Sequence, residues 1–177
     1  MGEEGSRLIP DVTIQFCPCC AGNLAWRHVP ADDKQRLVCA ACGYVYYFDP
    51  KVSACTIPFL DGKVVMLRRA NEPSRGKWVF PGGFMERGET VEQAAIRETF
   101  EEVGLQVDVT HLLNVYSYPE SVVIVVVYLA QVVGGELRLS PEASELGLFA
   151  PDEIPWEELA FPSTRRALED WIARSSG

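Results

Sequence analysis

From Gly83 to Leu105 the chain reads GFMERGETVEQAAIRETFEEVGL, a stretch with a marked start, a helical interior and a marked stop. Thr90 and Gln93 have the spacing of a capping box, so a helix is expected to begin after Thr90. Val91, Ala94, Ala95 and Val103 supply its apolar side, with Phe100 beside it, and Gly104 is the expected left-handed terminator. Upstream, Pro81-Gly82-Gly83 permits backbone geometry that other residues resist, including the close approach of a carbonyl to a metal. Residues three or four apart share a helix face, so Glu98 lies beside both Glu101 and Glu102. Carboxylates this close repel by roughly a few tenths of a kcal/mol per pair. A hard divalent cation, which takes oxygen ligands, offsets that repulsion. For three glutamates alone, a solvated acidic face is the favoured reading; the whole stretch shifts the balance.

The spacing of Gly83, Glu89 and Arg97-Glu98-Thr99-Phe100-Glu101-Glu102-Val103-Gly104-Leu105 resembles the signature of the Nudix hydrolases. One position departs: Thr99 stands where that family usually has an aliphatic residue. Threonine is β-branched and close to valine in size, but a buried hydroxyl needs a partner. Thr99 is expected to leave the fold and the metal site intact. The resemblance implies an α+β chain with the Nudix α/β/α sandwich, and Mg²⁺ or Mn²⁺ as cofactor. It maps Glu98, Glu101 and Glu102 to catalytic metal ligands, adds the carbonyl of Gly82, and makes Glu89 and Arg97 the pair that braces loop against helix. Members of the family often recruit a general base from a later loop; Glu120, Glu142 and Glu145 are the candidates, Glu142 and Glu145 the better placed, and Glu98 is the alternative. A homodimer is a further expectation from the family.

Six cysteines are present, and Cys17, Cys20, Cys39 and Cys42 form C-x2-C, eighteen residues, then C-x2-C. That spacing falls within the zinc-ribbon pattern, in which two knuckles supply four thiolates and the metal stabilises a segment too small for its own core. Gly22 and Gly43 follow each pair where a knuckle turns sharply. Disulfides or redox-active pairs are the alternatives; no secretion signal is seen to support the first, and two pairs suit the second poorly.

At 177 residues with a net charge of −9, the chain has room for one ordinary core plus a small appendage. The acidity argues against sequence-independent nucleic-acid binding, which depends on Lys and Arg. No apolar run approaches the ~20 residues that span a bilayer; Val122–Ala130 reads as a buried strand. The N-terminus resembles no signal peptide, and the formal myristoylation match of Met1-Gly2 with Ser6 is read as chance, so a cytoplasmic protein without membrane partners is expected.

The expected organisation is a tail over 1–14, a zinc ribbon over 15–48 and a Nudix hydrolase domain over 49–177. Strands are expected at 34–38, 44–47, 52–60, 63–69, 106–110, 112–118, 122–133, 136–139 and 146–150, with a final helix capped by Ser163. Pro58 suggests that the 52–60 strand is an edge or is bulged. A ribbon joined to such a domain resembles the FAD and ADP-ribose pyrophosphatase group, carried further by GKWVFPGG at 76–83, LFAPDEIP at 148–155 and Leu159-Ala160-Phe161. The implied activity is hydrolysis of the diphosphate linkage in a nucleotide substrate, ADP-ribose or FAD, giving AMP and a phosphorylated remainder. NADH and NAD-capped RNA come second, because the Ser-Gln-Pro-Trp-Pro-Phe-Pro segment of NADH pyrophosphatases is missing. A non-catalytic ligand sensor is the rival from another class. Arg68, Arg69 and Arg75 are candidate phosphate contacts, and Phe84, Tyr116, Tyr118 and Phe161 candidate base-stacking rings.

Overall fold

The computed structural model describes residues 14–31 and 33–175. The expected tail lies outside these residues except for Ile14, and so does the Met1-Gly2 match. The described residues fall into two compact units, 14–50 and 51–175.

In the first unit, strands β1 (Leu24–Val29), β2 (Lys34–Cys39) and β3 (Val45–Tyr46) form an antiparallel sheet in that order. Strand β1 is not among the expected strands: its LAWRHV lacks a run of β-branched residues and is mostly exposed. Its identity as a strand comes from pairing, Leu24 through Val29 opposite Cys39 through Lys34.

The second unit is built on a mixed sheet of order β10-β5-β4-β9-β8, with β6 on β5 and β7 on β4. Its strands are β4 (Lys51–Leu60), β5 (Lys63–Arg69), β6 (Trp78–Val79), β7 (Gly82–Phe84), β8 (Leu105–Tyr116), β9 (Val123–Gly135) and β10 (Ala143–Phe149). The β4–β9 pair is parallel and the others are antiparallel. Alternating side chains send neighbouring residues to opposite faces. Cys55, Ile57, Val64 and Met66 meet Ala167, Leu168 and Trp171 of helix α2 (Pro162–Ser175) on one face. Ala54, with Val65 and Leu67, faces the other side, where Ala94, Ala95 and Val103 of α1 (Val91–Val103) are buried. The result is the expected α/β/α sandwich.

Four expectations are corrected. β4 lies inside the sheet, not at an edge. It pairs with β7 through Ser53–Cys55 and with β5 through Phe59–Leu60, so Pro58 falls where one partner gives way to the next and its missing N–H breaks no ladder on that side. The two strands expected at 106–118 are one, β8, whose register shifts three times against β9. No strand forms at 136–139: Gly134 and Gly135 still pair with β8, and the Arg138 N–H then donates to Val103 O at 3.0 Å, at the end of α1. The final helix starts at Pro162 rather than after Ser163, because a proline's fixed φ suits the first helical turn.

Candidate active site

Helix α1 is set by its ends. The Thr90 side chain accepts from the Gln93 N–H at 3.2 Å, the Gln93 side chain accepts from the Thr90 N–H at 2.8 Å, and Gly104 closes the helix at φ 78°. Those caps fix which residues face the sheet. Ala94, Ala95, Thr99, Glu102 and Val103 are buried.

Glu102 is 7% exposed. Its carboxylate accepts from the Gly82 N–H at 2.8 Å. Burial pushes its pKa up to about 8, with Glu98 and Glu142 adding to the rise; the Gly82 N–H and Arg69 oppose it. Burial also raises Glu98, against the pull of Arg97. Gly83 brings the backbone onto Glu98 so closely that a Cβ there would overlap the carboxylate. Gly82 meets Cys55 in the same way. Two carboxylates thus lie under the Gly82-Gly83 backbone in surroundings that disfavour their charge. Glu101 is at the rim, 57% exposed, bonded to Arg97 at 3.1 Å.

Arg97 joins these parts. It donates to both Glu89 oxygens at 2.7 and 3.0 Å, to Glu98 at 2.8 Å and to Phe84 O at 3.3 Å. Glu89 also accepts from the Glu86 N–H at 2.6 Å. The Arg97 guanidinium first, and that N–H second, hold the Glu89 carboxyl down at about 2.

The candidate bases separate. The charge of Glu142 reaches both Glu98 and Glu102, and its carbonyl is tied to the end of β5 by the Ala70 N–H at 2.8 Å. Glu145 faces Arg68 at 3.3 Å. Glu120 sits in the turn between β8 and β9. Of the phosphate candidates, Arg68 lies over the Trp78 ring and pairs with Glu158 at 2.7 Å, while Arg69 lies over Phe161. Among the rings, Tyr116 is buried and donates its hydroxyl to Asp170 at 2.9 Å, so it serves the core; Phe84 stays 46% exposed.

Buried Thr99 has hydrogen-bond partners that the sequence does not reveal. Its hydroxyl donates to Ala95 O at 2.7 Å and lies 2.6 Å from the hydroxyl of Thr56 on β4. The hint was Thr99 itself, a polar residue at an aliphatic position.

In the ribbon, the sulfurs of Cys17, Cys20, Cys39 and Cys42 all lie within 4.8 Å of one another. Cys17 Sγ–Cys42 Sγ is 3.7 Å and Cys20 Sγ–Cys39 Sγ is 3.5 Å. A tetrahedron with Zn–S bonds of 2.3 Å has edges of about 3.8 Å, so the four thiols fit that ion. The backbone N–H of Cys42 leads in holding Cys39 down at about 6. The knuckles repeat one turn, Ala21 N–H to Cys17 O at 2.9 Å and Gly43 N–H to Cys39 O at 3.1 Å. At the first knuckle Ala21, not Gly22, takes the left-handed conformation (φ 57°); Gly22 is needed for space against Ala41 and Cys39. Cys19 is exposed, outside the cluster. Among the described residues this is the one group of three or more metal-ligating side chains drawn that close, and the α1 glutamates do not converge to the same degree.

The model of the NUDIX domain matches residues 49–171, and that of the Nudix N-terminal zinc ribbon matches residues 15–47. The chain belongs to the Nudix hydrolases. It is 38% identical over 138 residues to an ADP-ribose pyrophosphatase of Methanocaldococcus jannaschii, covering 76% of this chain and 80% of that protein. It is 34% identical over 143 residues to the NAD-capped RNA hydrolase NudC of Chromobacterium violaceum, covering 80% of this chain but 52% of that protein. A crystal structure of a Nudix hydrolase from Nitrosomonas europaea superposes with a TM-score of 0.87 at 36% identity, over 93% of this chain and 94% of that one.

Proposed function

We propose that this Nudix hydrolase cleaves the diphosphate linkage of a nucleoside diphosphate derivative, ADP-ribose first and FAD next, releasing AMP and the phosphorylated remainder. The observation that carries this reading is the pair Glu98 and Glu102, the first half-buried and the second buried, lying under Gly82-Gly83 with their charged forms disfavoured. An all-oxygen set of this kind suits Mg²⁺ or Mn²⁺. Such a cation, once bound, withdraws charge from the phosphoryl oxygens. Glu98 and Glu102 would hold it, with Glu101 and the Gly82 carbonyl completing the set. Arg97 and Glu89 keep the loop against the helix. Glu142, whose field already reaches both carboxylates, is the base assigned to take the proton of the attacking water as the bridging P–O bond breaks.

A structural zinc ion on Cys17, Cys20, Cys39 and Cys42 belongs to the same proposal, as do a ribbon over 15–48, a catalytic domain over 49–177, a cytoplasmic location and a homodimer. ADP-ribose stands ahead of NAD-type substrates because the Methanocaldococcus jannaschii pyrophosphatase is matched over most of its length and the NudC protein over about half. The retained Glu98, Glu101 and Glu102 argue against a ligand sensor, which has no need of them.

The test is a product-resolved screen with Mg²⁺ and Mn²⁺ over ADP-ribose, FAD, NADH, diadenosine polyphosphates, nucleotide sugars and nucleoside triphosphates. The highest kcat/KM is expected for ADP-ribose or FAD. A preference for NADH favours the second reading, and cleavage of none overturns the enzyme reading.

A further inference from the structure

We propose that Thr56 and Thr99 are a coupled pair of positioning residues that sets the register of the carboxylate helix against the Gly82 loop. The proposal rests on the reading that Glu98 and Glu102 hold a divalent cation. Both threonines are fully buried. The direction of their hydrogen bonds follows from proton count. Each hydroxyl has one proton. Thr99 donates its proton to the Ala95 carbonyl, which can only accept, at 2.7 Å. The 2.6 Å contact between the hydroxyls is therefore Thr56 donating to Thr99.

The Thr56 backbone does a second thing. Its N–H donates to Pro81 O at 3.0 Å, and the next residue, Gly82, donates its N–H to Glu102 at 2.8 Å. A ring closes: Thr56 to Pro81, along the chain to Gly82, across to Glu102, back along α1 to Thr99, and across to Thr56. It links the candidate carbonyl ligand of Gly82 to the helix that carries Glu98 and Glu102. An aliphatic residue at position 99 fills the same space but fixes no direction, since dispersion contacts tolerate sliding. Directional bonds do not. The polar exception in the signature and the threonine facing it on β4 thus form one device, and the gap in the β4 ladder between Cys55 and Phe59 is where it operates.

Three variants of the 177-residue chain separate positioning from mere support: T99V, the double variant T56V/T99V, and T99S. Two readouts are taken on each, the urea midpoint and the Mn²⁺ dissociation constant from electron paramagnetic resonance. T99V strands the buried Thr56 donor, so its midpoint should fall; the double variant removes both partners and should recover most of the loss. Positioning predicts that Mn²⁺ binding does not recover with it: both valine variants should bind about 10-fold more weakly, the usual scale for residues that orient ligands, while T99S keeps the wild-type value. Mn²⁺ affinity that returns with the midpoint in the double variant, or that T99S loses as fully as T99V, overturns the proposal. A wild-type protein that binds no Mn²⁺ overturns the divalent-cation reading and this proposal together, a result distinct from either of those.

Discussion

Without added divalent cation, Glu102→Gln should make this protein more stable. Glu102 is 7% exposed, and burial moves its carboxyl from an ordinary 4.5 up to about 8. The folded state therefore keeps a proton that the unfolded chain has released over that interval, and stability falls as pH rises through it. The contribution of the group is complete below pH 4.5 and is lost progressively toward pH 8. At about 1.4 kcal/mol per pH unit, the span from 4.5 to pH 7 corresponds to about 3 kcal/mol. Glutamine avoids this loss because it carries no charge and still offers an oxygen to the Gly82 N–H. The assay is thermal unfolding of wild type and variant at pH 5 and pH 7 in buffer freed of Mg²⁺ and Mn²⁺. The two should nearly coincide at pH 5, and the variant should lead at pH 7 by on the order of 10 °C. Saturating Mg²⁺ should then raise the wild type and narrow the gap, because ligand that binds only the folded state stabilises it. A variant equal to or less stable than wild type at pH 7 would show that the fold does not hold the Glu102 carboxyl protonated.

Three other outcomes follow from the geometry. Purified reduced protein should contain about one zinc per chain, and Cys39→Ser should lower that ratio and expose residues 15–48 to protease, read by metal analysis and limited digestion. Glu142→Gln should lower kcat by about 100-fold or more while Glu145→Gln changes it little, a contrast that steady-state kinetics resolves. Gly83→Ala puts a methyl group into the Glu98 carboxylate, so Mn²⁺ affinity should drop about 10-fold or more by calorimetry with the circular dichroism spectrum unchanged.

Features written in local residues were legible in advance. The capping box and the Gly104 stop each depend on side chains a few positions apart, and each is found where expected. Features that depend on distant partners were not. LAWRHV becomes a strand only because 34–39 lies beside it. Pro58 reads as an edge signal, yet it sits inside the sheet because β4 changes partners around it. Residues 136–139 alternate like a strand but end up against the close of α1. In the candidate site, the three glutamates and the four cysteines could be named from spacing. The unequal burial of Glu98, Glu102 and Glu101 could not, since it depends on the Gly82-Gly83 backbone folding over two of them. Nor could the reach of Glu142, which the register of β10 against β5 determines.

The proposed role of the α1 carboxylates is to split a diphosphate. The most direct measurement is a ³¹P NMR time course of ADP-ribose, and separately of FAD, with Mg²⁺, run on the wild type and on Glu102→Gln. From ADP-ribose the wild type is predicted to yield AMP and ribose 5-phosphate only when the cation is present, and the variant to be slower by about 100-fold or more. Intact ADP-ribose and intact FAD with the wild type, or an undiminished rate with Glu102→Gln, would rule that role out.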